Sequence, residues 1–161
     1  MNTLTHTPSR IFALILALFI AISSGGCAIK LVSDYDAAAF EEILGIGKKV
    51  DKFYGTLLET KQDARQYSAF ADQYVTLETD IRGMVTRNQA RALNSESSEI
   101  SQLILKVFIK YKGLHKDNNN YTDGTAKLDR SRLTRMFASA ASAEEAKKLS
   151  ADDKNPEKES K

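Results

Sequence analysis

The chain has 161 residues, with 23 Lys and Arg against 21 Asp and Glu, for a net charge of +2. That near-balance argues against electrostatic capture of nucleic acid or of an anionic lipid surface. The only prolines are Pro8 and Pro156, so nothing between them forbids long helices. The chain opens with "MNTLTHTPSR", polar and carrying Arg10, followed by the wholly apolar "IFALILALFIAI" of residues 11–22 and the small residues Ser23, Ser24, Gly25 and Gly26. A charged start, a short apolar middle and a small-residue cleavage site read as a bacterial secretory signal peptide over residues 1–26. The apolar run falls short of the roughly 20 residues that a comfortable membrane span needs.

The next residue is Cys27, the one cysteine of the chain. "SGGC" resembles the lipobox of bacterial lipoproteins, in which a small residue precedes a cysteine that is acylated and becomes the new N-terminus. Cleavage would then fall between Gly26 and Cys27, with Cys27 as the lipidation site. Ser24 departs from the pattern, which usually has Leu or another apolar residue there. A lone cysteine in an exported chain must be free, paired between molecules or modified, and acylation removes that problem. One acyl chain anchors only marginally, whereas the three of the lipoprotein pattern hold permanently. Ala28 and Ile29 follow, rather than the Asp that tends to retain such proteins in the inner membrane. The resemblance therefore implies an outer-membrane anchor with the body facing the periplasm.

Residues 27–32 form a short tether, and a helical body over residues 33–149 follows. The first helix is expected over 33–60, with Ser33 and Asp36 as a capping box. Phe40, Ile43, Gly47, Val50, Phe53 or Tyr54, and Leu57 share one face. Gly45 and Gly47 are costly inside a helix and point to a close helix contact or a kink. "GIGKK" fails as a phosphate loop, because Glu42 and Lys49 stand where that motif needs Gly and Ser or Thr.

A second helix over about 63–92 carries the heptad-like stripe Tyr67, Phe70, Tyr74, Leu77, Ile81 and Met84, with Asp72, Glu78, Arg82 and Arg87 on the opposite, solvated side. "NSESSE" at 94–99 reads as a turn and a cap. The third helix, to about residue 115, has Ile100, Leu103, Ile104, Val107, Phe108, Tyr111 and Leu114 as its apolar side. "KDNNNYTDGT" at 116–125 is a break whose Asn and Asp residues bond locally. It fails as a calcium loop in both frames, where Leu128 or Arg130 occupies the position that needs Glu. The fourth helix, about 125–149, has Leu128, Leu133, Met136, Phe137 and Ala140 as its apolar residues. Its first half is basic, with Lys127, Arg130, Arg132 and Arg135. Residues 150–161 lack large apolar side chains and read as a disordered charged tail. Four helical runs joined by short loops predict an all-α fold, an antiparallel bundle of three to four helices after the cleaved signal peptide.

"CAIKLVSDYD", "FYGTLLE", the Tyr- and Phe-striped second helix, "GLHKDNN" and "EEAKK" together resemble a group of small, helical, uncharacterised proteobacterial lipoproteins. The resemblance implies a location and a fold, and brings no catalytic residue.

Past the signal peptide the chain has one histidine, His115, and no free thiol once Cys27 is acylated. That argues against His–Cys catalysis and against a metal site, and no cofactor or catalytic residue is expected. Adjacent carboxylates such as Glu41 and Glu42 project in different directions on a helix and are no prepared acid–base pair. The expected role is a membrane-anchored interaction or envelope-structural module that meets a membrane-associated protein partner and no nucleic acid. The alternative is a small-molecule or lipid carrier with a pocket between helices.

Overall fold

The computed structural model describes residues 31–152, with side chains to residue 149. Residues 1–30, over which a signal peptide is expected and which include Gly26 and Cys27, and most of the expected charged tail lie outside the described residues. The chain divides into two units, Met1–Leu31 and Val32–Lys161, and the helical body belongs to the second. It is an antiparallel bundle of four helices, α1 (Ala37–Glu59), α2 (Ala71–Ala90), α3 (Ser95–Asn118) and α4 (Asp123–Asp152). Each helix packs against two others, α1 on α2 and α4, and α3 on the same pair.

A side-chain cap marks the start of α1, whereas Phe70 and Asn94, ahead of α2 and α3, make none, so the cap expected at residues 94–99 is not formed. Asp36, and not Ser33, caps α1: its carboxylate accepts from the amides of Ala38 at 2.9 Å and Ala39 at 3.1 Å. Helix-forming alanines follow at once, so the acid at 36 supplies the cap directly. Ser33 is drawn away from the cap position. Its amide donates to the Leu93 carbonyl at 2.8 Å and its hydroxyl to Asn94 at 2.9 Å.

The second helix starts later than its stripe suggests. Two short 3₁₀ turns, Gln62–Ala64 and Tyr67–Phe70, precede it. The break falls at Arg65 and Gln66, because the Arg65 side chain turns inward to meet the last carbonyls of α1. Asn119 ends α3 in the left-handed conformation, φ 48° and ψ 27°, which asparagine tolerates. Helix α4 starts at Asp123 and continues to Asp152, so the helix runs past the boundary expected at residue 149.

The core follows the stripes with two rotations. On α2, Tyr74, Leu77, Ile81 and Met84 are buried as their spacing requires. On α3, the buried line is Ser101, Ile104, Phe108, Tyr111 and His115. Leu103 and Leu114, expected inside, are about half exposed on its flank, and Val107 is only partly buried. On α4, Leu128 is also half exposed, while Ala126, Leu133, Phe137, Ala140 and Ala141 are buried. Gly47 is the close contact: a Cβ built there would lie 3.2 Å from Phe137, whereas Gly45 faces open space.

Aromatic rings fill the middle of the bundle. Phe53 meets Tyr74 at 4.7 Å and Phe70 at 5.9 Å between centroids, both edge to face. Such pairs contribute about 0.5–1.5 kcal/mol beyond their buried area. Ion pairs set the register of the interfaces. Arg130 grips Asp51 through two 2.7 Å bonds between α4 and α1. Lys49 meets Asp80, and Lys112 meets Glu78, each at 2.9 Å. Glu78, read as part of a solvated face, in fact bridges α2 to α3. At the basic start of α4, Arg130 is tied to Asp51 and Arg132 donates to the Tyr111 hydroxyl at 2.6 Å, while Lys127, Arg132 and Arg135 stay exposed.

Candidate functional site

Two clusters of buried polar groups sit at opposite ends of the bundle. The first gathers where the chain enters α1. Here meet residues 33–36, the turn between α2 and α3, and the last turns of α4. At its centre is Glu144, whose side chain is fully buried. It accepts from both Arg91 amino groups, at 3.2 and 3.1 Å, from Lys147 at 2.6 Å and from the Asp36 amide at 2.9 Å. Burial pushes the Glu144 carboxyl upward, but the bonds from Arg91, Lys147 and the Asp36 amide outweigh it and hold it below the ordinary value.

Around this carboxylate the contacts continue. Lys147 also donates to Asn94 at 2.6 Å and to Ser97 at 2.9 Å. Asn94 donates to the Asn88 carbonyl at 3.0 Å. Arg91 reaches the Asp34 carbonyl. The segment that leads into α1 is therefore bonded to the α2–α3 turn and to α4 at several points. Leu93, at the tip of that turn, has φ 57°, a conformation that bulky L residues rarely adopt.

The second cluster lies at the other end. The nearly buried guanidinium of Arg65 donates to the carbonyls of Thr60 at 2.7 Å, Leu58 at 3.1 Å and Tyr121 at 3.1 Å, and to the Asp123 carboxylate at 2.6 Å. His115 stands between Tyr74 and the Arg65 carbonyl. Its Nε2 lies 2.8 Å from that carbonyl, which can only accept, so Nε2 carries the proton. Its Nδ1, 3.0 Å from the Tyr74 hydroxyl, then accepts from it. Both ring nitrogens are engaged, which leaves the imidazole as a buried structural pin. Nearby, Tyr121 donates to Asp129 at 2.6 Å. Burial raises the Asp129 carboxyl, against the bonds from Tyr121 and Tyr111.

Burial also holds the His115 pKa below its ordinary value, partly offset by the Arg65 carbonyl. The consequence for stability has a definite sign. The unfolded chain takes up a proton near pH 6.5 while the folded imidazole stays neutral. Stability is full above pH 6.5 and falls as the pH drops below it, by at most about 1.4 kcal/mol per unit, until the folded group titrates. Denaturant titrations of wild type and His115→Gln at pH 7.5 and 5.5 read this directly. The wild type should lose more than the variant; parallel behaviour would remove His115 as the cause.

The concavities are open to solvent. Grooves of about 380 Å³ run between α1 and α2, beside Lys49, Phe53 and Gln73, and between α1 and α4, beside Leu44, Gly47 and Phe137. A cleft of about 150 Å³ lies by His115, Asn120 and Tyr121. Among the described residues no group of three or more His, Cys, Asp or Glu is placed to hold a metal ion, and no helix is long and apolar enough to cross a membrane.

Gly26 and Cys27, the residues singled out from the sequence for cleavage and lipidation, lie outside the described residues. The burial of His115 and Glu144 does not follow from the apolar stripes, although their spacing carries a signal. Leu133, Phe137, Ala140 and Glu144 repeat at helical spacing, and so do Ile104, Phe108, Tyr111 and His115. A scan against protein-family models, a search of curated proteins and a search of solved structures each find no match to the chain.

Proposed function

We propose that the protein is a bacterial lipoprotein, held by an acylated Cys27, whose bundle serves as an interaction or envelope-structural module. The observation that carries this reading is the apolar run of residues 11–22, followed by small residues and then by the only cysteine of the chain. Ala28 and Ile29 after that cysteine favour the outer membrane, with the bundle on the periplasmic side. A filled aromatic core and open grooves favour docking over enclosure of a ligand. No catalytic step is assigned.

The tether narrows the class of partner. Residues 28–32 alone separate Cys27 from Ser33, and fully extended they span roughly 20 Å. A bundle on so short a leash meets membrane-associated components. Cys27→Ser should abolish palmitate incorporation and leave precursor or misplaced protein. Labelling that persists in this variant would overturn the reading.

A further inference from the structure

The tether end of the bundle presents apolar side chains beside the point where the chain enters. Leu93 is 52% exposed, Val32 37% and Leu149 71%. Leu93 is the most informative of them. Its φ of 57° suits glycine or asparagine and strains a leucine. The strain persists because the surroundings fix it: the Leu93 carbonyl accepts from Ser33, and the neighbouring Asn94 is bonded to Asn88, Ser33 and Lys147. The strained turn leaves a large apolar side chain half exposed at this end.

We infer that this end seats on the lipid surface, with Leu93, Val32 and Leu149 entering the boundary between headgroups and acyl chains. The inference rests on the lipoprotein reading, because the length of the tether selects the occupant. Ser33 lies within roughly 20 Å of chain from an acylated Cys27, and Leu93 is bonded to Ser33. The surface that fits that distance is the bilayer in which the anchor sits. The attraction is apolar. Among the described residues at this end, Arg91 and Lys147 are engaged by Glu144, and Lys148 by Glu145 at 2.6 Å, so anionic lipid should add little.

The test uses the processed protein purified from membranes and reconstituted in phosphatidylcholine vesicles. A polarity-sensitive fluorophore is placed in turn at Leu93→Cys, at Leu149→Cys and at Asp63→Cys, which is exposed at the opposite end of the bundle. Lipids with a nitroxide near the headgroup serve as quenchers. Quenching at 93 or 149 should exceed that at 63 by at least about twofold, as shallow insertion requires, and should change little when phosphatidylglycerol is added. The label at 149 stands outside the strained turn and reports the same face if Leu93→Cys fails to fold. Equal quenching at all three positions, in protein whose acylated Cys27 is verified by mass spectrometry, overturns the inference and leaves the anchor reading in place. An unmodified Cys27 overturns the anchor reading, and this inference with it.

Discussion

Glu144→Ala is expected to destabilise the bundle by about 3–5 kcal/mol, the range for removing one partner of a buried charge pair. The side chain is fully buried and accepts from Arg91, Lys147 and the Asp36 amide. Its loss takes from Lys147, itself 6% exposed, the carboxylate that accepts from it at 2.6 Å. The Asp36 amide loses its acceptor as well. Glu144→Gln keeps the shape and should cost less. The pH dependence has a sign that can be checked. Because the folded carboxyl is held below its ordinary value, its contribution is present above about pH 4.3 and fades as the pH falls through the folded value. Guanidinium denaturation followed by circular dichroism measures both effects. A loss below about 1 kcal/mol in Glu144→Ala would place this network among contacts of little weight.

Arg65→Ala should cost at least about 3 kcal/mol, with a fall in Tm on the order of 10 °C. Arg65 satisfies three carbonyls and a carboxylate at once, and two of those carbonyls belong to the end of α1. Arg65→Lys should be nearly as damaging. One ammonium cannot span acceptors that a planar guanidinium reaches in several directions. Thermal melts of the two variants decide the matter. Full stability in Arg65→Lys would mean that charge alone, and not the geometry of the fork, holds this end.

The bundle itself was legible because large apolar residues repeat at three and four along each helix. Tyr74, Leu77, Ile81 and Met84 fell where that repeat put them. What escaped were positions where polar residues keep the same register. His115 and Glu144 lie on buried lines, but an apolar pattern stops at each and shifts towards a neighbouring apolar residue. That shift placed Leu103 and Leu114 inside α3 and left His115 out. The start of α2 was misplaced for a related reason. Tyr67 and Phe70 continue the stripe, yet Arg65 draws the backbone into turns before the helix begins. Ser33 carried a plausible cap signal, and only the tertiary bond to Leu93 reveals its other use. Such contacts join residues far apart in sequence, so no local pattern encodes them. Cys27 and Gly26 lie outside the described residues, and their reading rests on the sequence.

The stitching of Ser33 to the α2–α3 turn has a mechanical consequence. Tension on the chain ahead of Ser33 reaches the Leu93 and Asn94 bonds before it reaches α1. Load that passes onward enters α1 at the Asp36 amide, already held by Glu144 of α4. If the opposing force acts on α3, α1 is drawn lengthwise past α2 and α4. The buried side chains of α1 and the pairs Asp51–Arg130, Glu42–Arg87 and Lys49–Asp80 are then loaded side by side in shear. They cannot be peeled apart one after another, because the pull runs along the helix and not away from its neighbours. Traction along the long axis of the bundle would therefore meet these contacts together.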